Sequence, residues 1–84
     1  MNIVETLSKL SNAYGISGFE DEIRKLLREF LKGYVDEVKE DKLGNLICIK
    51  KGEVKGPSIM LAAHMDEVGL QVVHVDKEGY IRFV

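Results

Sequence analysis

Five consecutive apolar residues, Ile59-Met60-Leu61-Ala62-Ala63, run without a polar break straight into His64-Met65-Asp66-Glu67. The run is too short for an ordinary helix and has no polar face. That is the pattern of a central strand covered on both sides. Such a strand needs strands beside it and helices over it, so the run predicts an α/β fold. The 84 residues suit one small domain at most. A chain of this size buries only about 60–65% of its unfolded surface, which leaves its core marginal unless something else covers it.

Upstream of the run, Ile3, Leu7, Leu10 and Tyr14 recur at helical spacing behind Asn2, a residue type that caps helix N-termini. This predicts a helix over 2–12. Phe19, Ile23, Leu26, Leu27, Phe30 and Leu31 line one face of a second helix over 18–32. Ser17 and Glu20 form a capping-box pattern at its start, and Gly33 supplies the residue just past its end. A polar edge strand over 34–41, a turn at Asp41-Lys42-Leu43-Gly44-Asn45 and a more buried strand over 46–49 follow. Residues 52–57 make a further exposed turn. After the apolar run, 70–75 and 80–84 flank Asp76-Lys77-Glu78-Gly79 as a β-hairpin. The expected architecture is two N-terminal helices packed on a mixed β-sheet, ending in that hairpin. Tyr80-Ile81-Arg82-Phe83-Val84 reads as a strand with an unpaired apolar edge, a liability for aggregation. The expectation is a piece of a longer polypeptide; the alternative is a short protein that closes the edge by self-association.

Composition removes several function classes. The net charge of −2 and a sequence pI near 5.6 lack the basic patch that a nucleic-acid surface needs. No apolar stretch reaches the ~20 residues that span a bilayer, and no secretory leader pattern opens the chain. The single Cys48 cannot form an internal disulfide, which suits a reducing cytoplasm.

The candidate chemistry sits where the apolar run ends. Ligands of open α/β sheets collect beyond the carboxyl ends of strands, which is where His64 stands. A neutral imidazole ligates zinc and related divalent metals. Asp66, two positions on in extended backbone, shares its side and can accept the second ring N–H. Ala62 and Ala63 leave room, Gly69 permits close backbone approach, and Glu67 points the opposite way. On spacing alone H-x-D is a weak signal, and a lone strand-end His is more often structural or solvated. A hydrolytic site needs about three protein ligands and an open position. The other candidates are poor: His74 in the hairpin reads as exposed, Cys48 as an apolar filler, and Glu37, Glu40 and Asp41 as a solvated face and turn. A zinc site bridging copies of the chain through His64 and His74 is a further option.

Together, Gly15-Ile16-Ser17-Gly18-x-Glu20, Asp41-x-x-Gly44-Asn45 and Ala62-Ala63-His64-Met65-Asp66-Glu67-x-Gly69 closely resemble the start of the tetrahedral (TET) aminopeptidases, the glutamyl aminopeptidase/endoglucanase-like family. The resemblance runs through essentially the whole chain. It implies a cytoplasmic metallo-aminopeptidase with two zinc or cobalt ions, acting on peptide N-termini inside a homo-oligomer, for full-length members a dodecamer. His64 then matches a ligand of one metal and Asp66 the site acid that orients it. The family's remaining ligands and its general base have no counterpart in these residues. The implied chemistry is hydrolysis by a metal-activated water, with a base moving the proton to the leaving amine. By the same resemblance, 1–69 form the N-terminal part of a zinc-exopeptidase-like catalytic domain, and 70–84 begin an inserted dimerisation domain. The 84-residue chain alone is then expected to be inactive. The family's endoglucanase label makes glycoside hydrolysis a lesser alternative, since that chemistry wants two carboxylates flanking a sugar.

Overall fold

The computed structural model describes residues 2–84. Two helices, α1 (Ile3–Asn12) and α2 (Asp21–Leu31), precede four short strands: β1 (Glu37–Glu40), β2 (Leu46–Ile49), β3 (Val72–Val75) and β4 (Ile81–Phe83). The chain is thus α/β in composition, with two helices ahead of the strands as expected.

Helix α1 starts where its cap predicts: Asn2 Oδ1 accepts from the Glu5 amide at 3.1 Å. Glu5 and Lys9, one turn apart, pair at 3.3 Å. Helix α2 departs from expectation at its start. It opens at Asp21, with no side-chain bond from its N-cap residue Glu20. The expected capping box does not form because both of its members are engaged elsewhere. The Ser17 hydroxyl donates to Asp66, while Glu20 accepts from the Gly18 amide and faces Arg24. Asp21 and Glu22 still place negative charge at the positive end of the helix dipole. The far end behaves as predicted, with Gly33 at φ +86° and the Tyr34 amide donating to Leu31 O. Ile23 of α2 and Ala13 after α1 are the buried apolar residues. Leu26, Leu27, Phe30 and Leu31 are half-buried around them.

Both hairpins are built by one device. β1 and β2 pair antiparallel from Glu37 opposite Ile49 to Glu40 opposite Leu46. Between them the Asp41 carboxylate accepts from the amides of Leu43 and Asn45, and Gly44 takes φ +88°. In the second hairpin the Asp76 carboxylate accepts from the amides of Glu78 and Tyr80, and Gly79 takes φ +88°. An Asp that bonds forward to the backbone and a left-handed Gly three residues later make a tight turn with no help from the rest of the chain. β3 and β4 pair from Val72 opposite Phe83 to Val75 opposite Ile81, and the register slips between Val72 and His74, so Val73 is the extra residue of a bulge.

Arg24 ties α2 to the first hairpin. Its guanidinium donates to Gly44 O at 2.9 Å and faces Glu20 and Glu40 as well as Asp21. The Asp21 hydrogen bond, opposed by desolvation and helped by the surrounding acids, raises its pKa further.

The expected central strand does not form. Residues 59–63 have no ladder partner, and Leu61 is 93% exposed. An apolar strand is stable only between neighbours, and the described residues offer it none: the two sheets are separate two-stranded ladders, β1–β2 and β3–β4. In place of the continuous mixed sheet there are two antiparallel ladders and one isolated parallel bridge, Ile16 with Glu67. The dimensions agree. The radius of gyration is 17.5 Å, against about 12 Å for a compact domain of this length. The accessible surface is 7840 Å², against roughly 5,000 Å² for a compact chain of this mass.

Candidate active site

The segment following the apolar run is held by the loop between α1 and α2. The Glu67 amide donates to Gly15 O at 2.8 Å, and Ile16 bridges Glu67 in parallel. Two glycines allow this packing, Gly69 across the seam and Gly15 against α2. A Cβ on Gly69 would meet Ile16 Cγ2 at 1.9 Å, and one on Gly15 would meet Ile23 Cγ1 at 2.5 Å. Gly69 thus serves the close approach expected of it.

The seam brings His64, Asp66 and Ser17 together. His64 Nδ1 lies 3.0 Å from Asp66 Oδ1 and 3.0 Å from the Asp66 carbonyl oxygen. Both are acceptors, so Nδ1 is the protonated nitrogen of the neutral ring and Nε2 keeps its lone pair. The His64 side chain is 84% exposed and that of Asp66 39%. The other Asp66 oxygen, Oδ2, accepts from the Ser17 hydroxyl at 2.5 Å. That bond first, and His64 second, hold the Asp66 carboxyl below the usual carboxylate range. Opposite the pair, across a shallow groove, lie Arg24 and the turn of Leu43, Gly44 and Asn45. Ala63 borders the groove beside His64. Glu67 lies away from it, against Ile16 and Val68.

An imidazole whose Nδ1 is committed to a carboxylate, and whose Nε2 faces open space, fits one ligand position of a divalent metal. Among the described residues no three His, Cys, Asp or Glu side chains converge on such a position. His74 lies opposite Arg82 in the second hairpin, and Cys48 opposite Val38 in the first. Glu37 pairs with Lys39, and Glu40 with Arg24 and Arg28. The acidic cluster is therefore a solvated face and a turn, as its pattern predicts. Ser17 is the member that residue patterns assign elsewhere. Its S-x-x-E spacing points to a helix cap, and only the fold places it against Asp66.

The chain is similar to known aminopeptidases. A family model described as M42 glutamyl aminopeptidase matches residues 44–84. A lysyl aminopeptidase of Pyrococcus furiosus is 49% identical over 81 residues, covering 95% of this chain and 23% of that protein. A glutamyl aminopeptidase of Lactococcus lactis is 36% identical over 87 residues, covering 100% of this chain and 24% of its own length. Among solved structures, the TET aminopeptidase of the marine sediment archaeon Thaumarchaeota archaeon SCGC AB-539-E09 superposes with a TM-score of 0.87 at 43% identity, over 96% of this chain and 23% of that one. The chain thus spans about a quarter of the length of the relatives it matches.

Proposed function

This chain belongs to the M42 aminopeptidase family, matching its N-terminal portion, and we propose that it supplies one ligand position of a metallo-aminopeptidase site. The observation that carries the reading is the His64–Asp66 pair, with Nδ1 engaged at 3.0 Å and Nε2 free. His64 Nε2 would hold one of two divalent ions, zinc or cobalt, and Asp66 would fix the ring and raise its basicity. When bound, such ions supply Lewis-acid polarisation of a peptide carbonyl and a water acidic enough to attack it. This chain's own contribution is positional: Asp66 holds the Nδ1 proton, His64 presents its lone pair, and small Ala63 keeps the approach open.

The whole enzyme would release N-terminal residues from peptides as a cytoplasmic homo-oligomer, with a dodecamer the expected assembly. Residues 1–69 would belong to its catalytic domain, and 70–84 would open the inserted dimerisation domain. The closed β3–β4 ladder, paired with no other strand, supports that division. With one ligand and no general base, the 84-residue chain alone is inactive in this reading. The experiment compares it with a polypeptide carrying the family's downstream ligands. Aminoacyl chromophore release by the longer protein, abolished by chelator and by His64→Ala, is the expected result. Equal release by the short chain overturns it.

The exposed apolar surface favours a second reading for the isolated chain, self-association without catalysis. Leu61 is 93% exposed and Val68 100%, and such surface drives association. A glycosidase role gains nothing from the geometry, since Asp66 is committed to Ser17 and His64 rather than paired with a second carboxyl across a sugar site.

A further inference from the structure

We propose that Ser17 is a positioning residue for the metal-binding pair: its hydroxyl holds the Asp66 carboxylate in the rotation that presents Oδ1 to His64 Nδ1. This rests on the metallo-aminopeptidase reading and deepens it.

A carboxylate turns easily about its last side-chain torsion, which has broad, two-fold preferences. Asp66 is partly exposed, so water competes for both of its oxygens. Its bond to His64 alone would leave that rotation weakly fixed. Ser17 removes the freedom by donating to Oδ2, and Oδ1 is then the oxygen turned to the ring. Toward an ionised carboxylate a hydroxyl can act only as donor, so the polarity of the contact is fixed.

Ser17 is itself held in place. The residue before it bridges Glu67, the residue before that accepts the Glu67 amide, and Ile16 packs on the bare backbone of Gly69. The seam therefore begins at the residue after Asp66, and Ser17 reaches the carboxylate from a backbone already registered beside it. A capping role for Ser17 is excluded by geometry, because α2 begins four residues later with no side-chain cap bond. The chain of contacts runs Ser17 to Asp66 to His64 and stops at the imidazole Nε2.

The test reads the ring directly and needs neither metal nor turnover. In the 15N-labelled chain, with imidazole neutral, long-range nitrogen–proton correlations report which nitrogen of His64 carries the proton. The parent should show the Nδ1–H form. Ser17→Ala should move the ring part of the way toward Nε2–H, the Asp66 carbonyl oxygen still holding a share of the Nδ1–H form, while the amide signals of residues 21–49 stay in place, and Ser17→Thr, which keeps the hydroxyl at an exposed position, should restore the parent form. In the polypeptide carrying the downstream ligands, Ser17→Ala should weaken zinc binding about tenfold, the lower end for losing an outer partner of a metal ligand. An unchanged tautomer in Ser17→Ala, failure of Ser17→Thr to restore it, or displacement of the 21–49 signals as a block would each overturn the proposal. The peptidase reading fails separately. An inactive longer protein whose His64 tautomer still follows Ser17 removes the function and leaves the clamp.

Discussion

Gly69 and Ile16 touch so closely that a Cβ added to the glycine would stand 1.9 Å from Ile16 Cγ2. Neither the backbone nor a branched side chain can yield that much without opening the seam. Gly69→Ala is expected to cost about 1–3 kcal/mol locally, the usual range for overpacking. The Glu67 amide, bonded to Gly15 O, should lose its protection from hydrogen exchange while the Leu46–Ile49 amides keep theirs. Equal protection of Glu67 in both proteins would contradict the close approach.

Asp66→Asn keeps the shape of the pair and removes its charge. The amide can offer Oδ1 to His64 Nδ1, but the basicity it lends the ring falls. In a polypeptide with the full ligand set, zinc affinity or peptidase activity should drop about 10–100-fold. His64→Ala should remove the activity altogether. A variant at Asp66 with parent-level affinity would show that the carboxylate does not tune the ligand.

The first hairpin should fray in acid. Hydrogen bonds to Asp41, led by those from Asn45, hold its carboxyl below the ordinary range. Its folded pKa is therefore lower than its unfolded one. The stabilisation is present above the unfolded value and is lost as pH falls through the folded value. Amide shifts across 37–49 should follow that titration, and Asp41→Asn should flatten the response. An acid transition of the same size in the variant would assign it to another group.

Arg24→Lys is not a conservative change here. Arg24 donates to Gly44 O while its other nitrogens face Glu20, Asp21 and Glu40, and a single ammonium cannot reproduce that fork. Contacts between α2 and the turn of β1–β2 should weaken, with both elements intact by circular dichroism. Unaltered nuclear Overhauser contacts between residue 24 and Gly44 would count against it.

In isolation the chain should exceed its 9.5 kDa monomer mass in light scattering at micromolar concentration. Leu61→Glu, placed where exposure is 93%, should return it towards monomer. A clean monomer in the parent would retire the self-association reading.

Local features were legible in the residues, and the failures share one cause. The Asn2 cap, the Gly33 helix stop and both Asp-x-x-Gly turns depend on atoms within four residues of one another, so composition and spacing suffice to read them. The capping box at Ser17 and Glu20 misleads because Ser17 is taken by Asp66, far along the chain, and Glu20 by its nearer neighbours Gly18 and Arg24. The strand expected over 59–63 was inferred from burial demand, but burial needs neighbours, and the described residues provide none. His64 and Asp66 are legible as a pair because their contact is two residues long; Ser17 is not legible as a site member because its contact spans 49.

That span also sets an order of events. The two hairpins close through contacts a few residues apart, on the ~1–10 μs scale of isolated hairpins. The Ser17–Asp66 link must first gather a loop of 49 residues, whose closure entropy is repaid only once the seam around Gly69 locks. Until that link forms, the Asp66 carboxylate beside His64 lacks its Ser17 partner, while the turns on either side are already made. In the proposed reading, the His64–Asp66 pair would acquire its Ser17-held geometry as one of the last steps of folding, and a metal meeting the chain earlier would find a less firmly oriented imidazole.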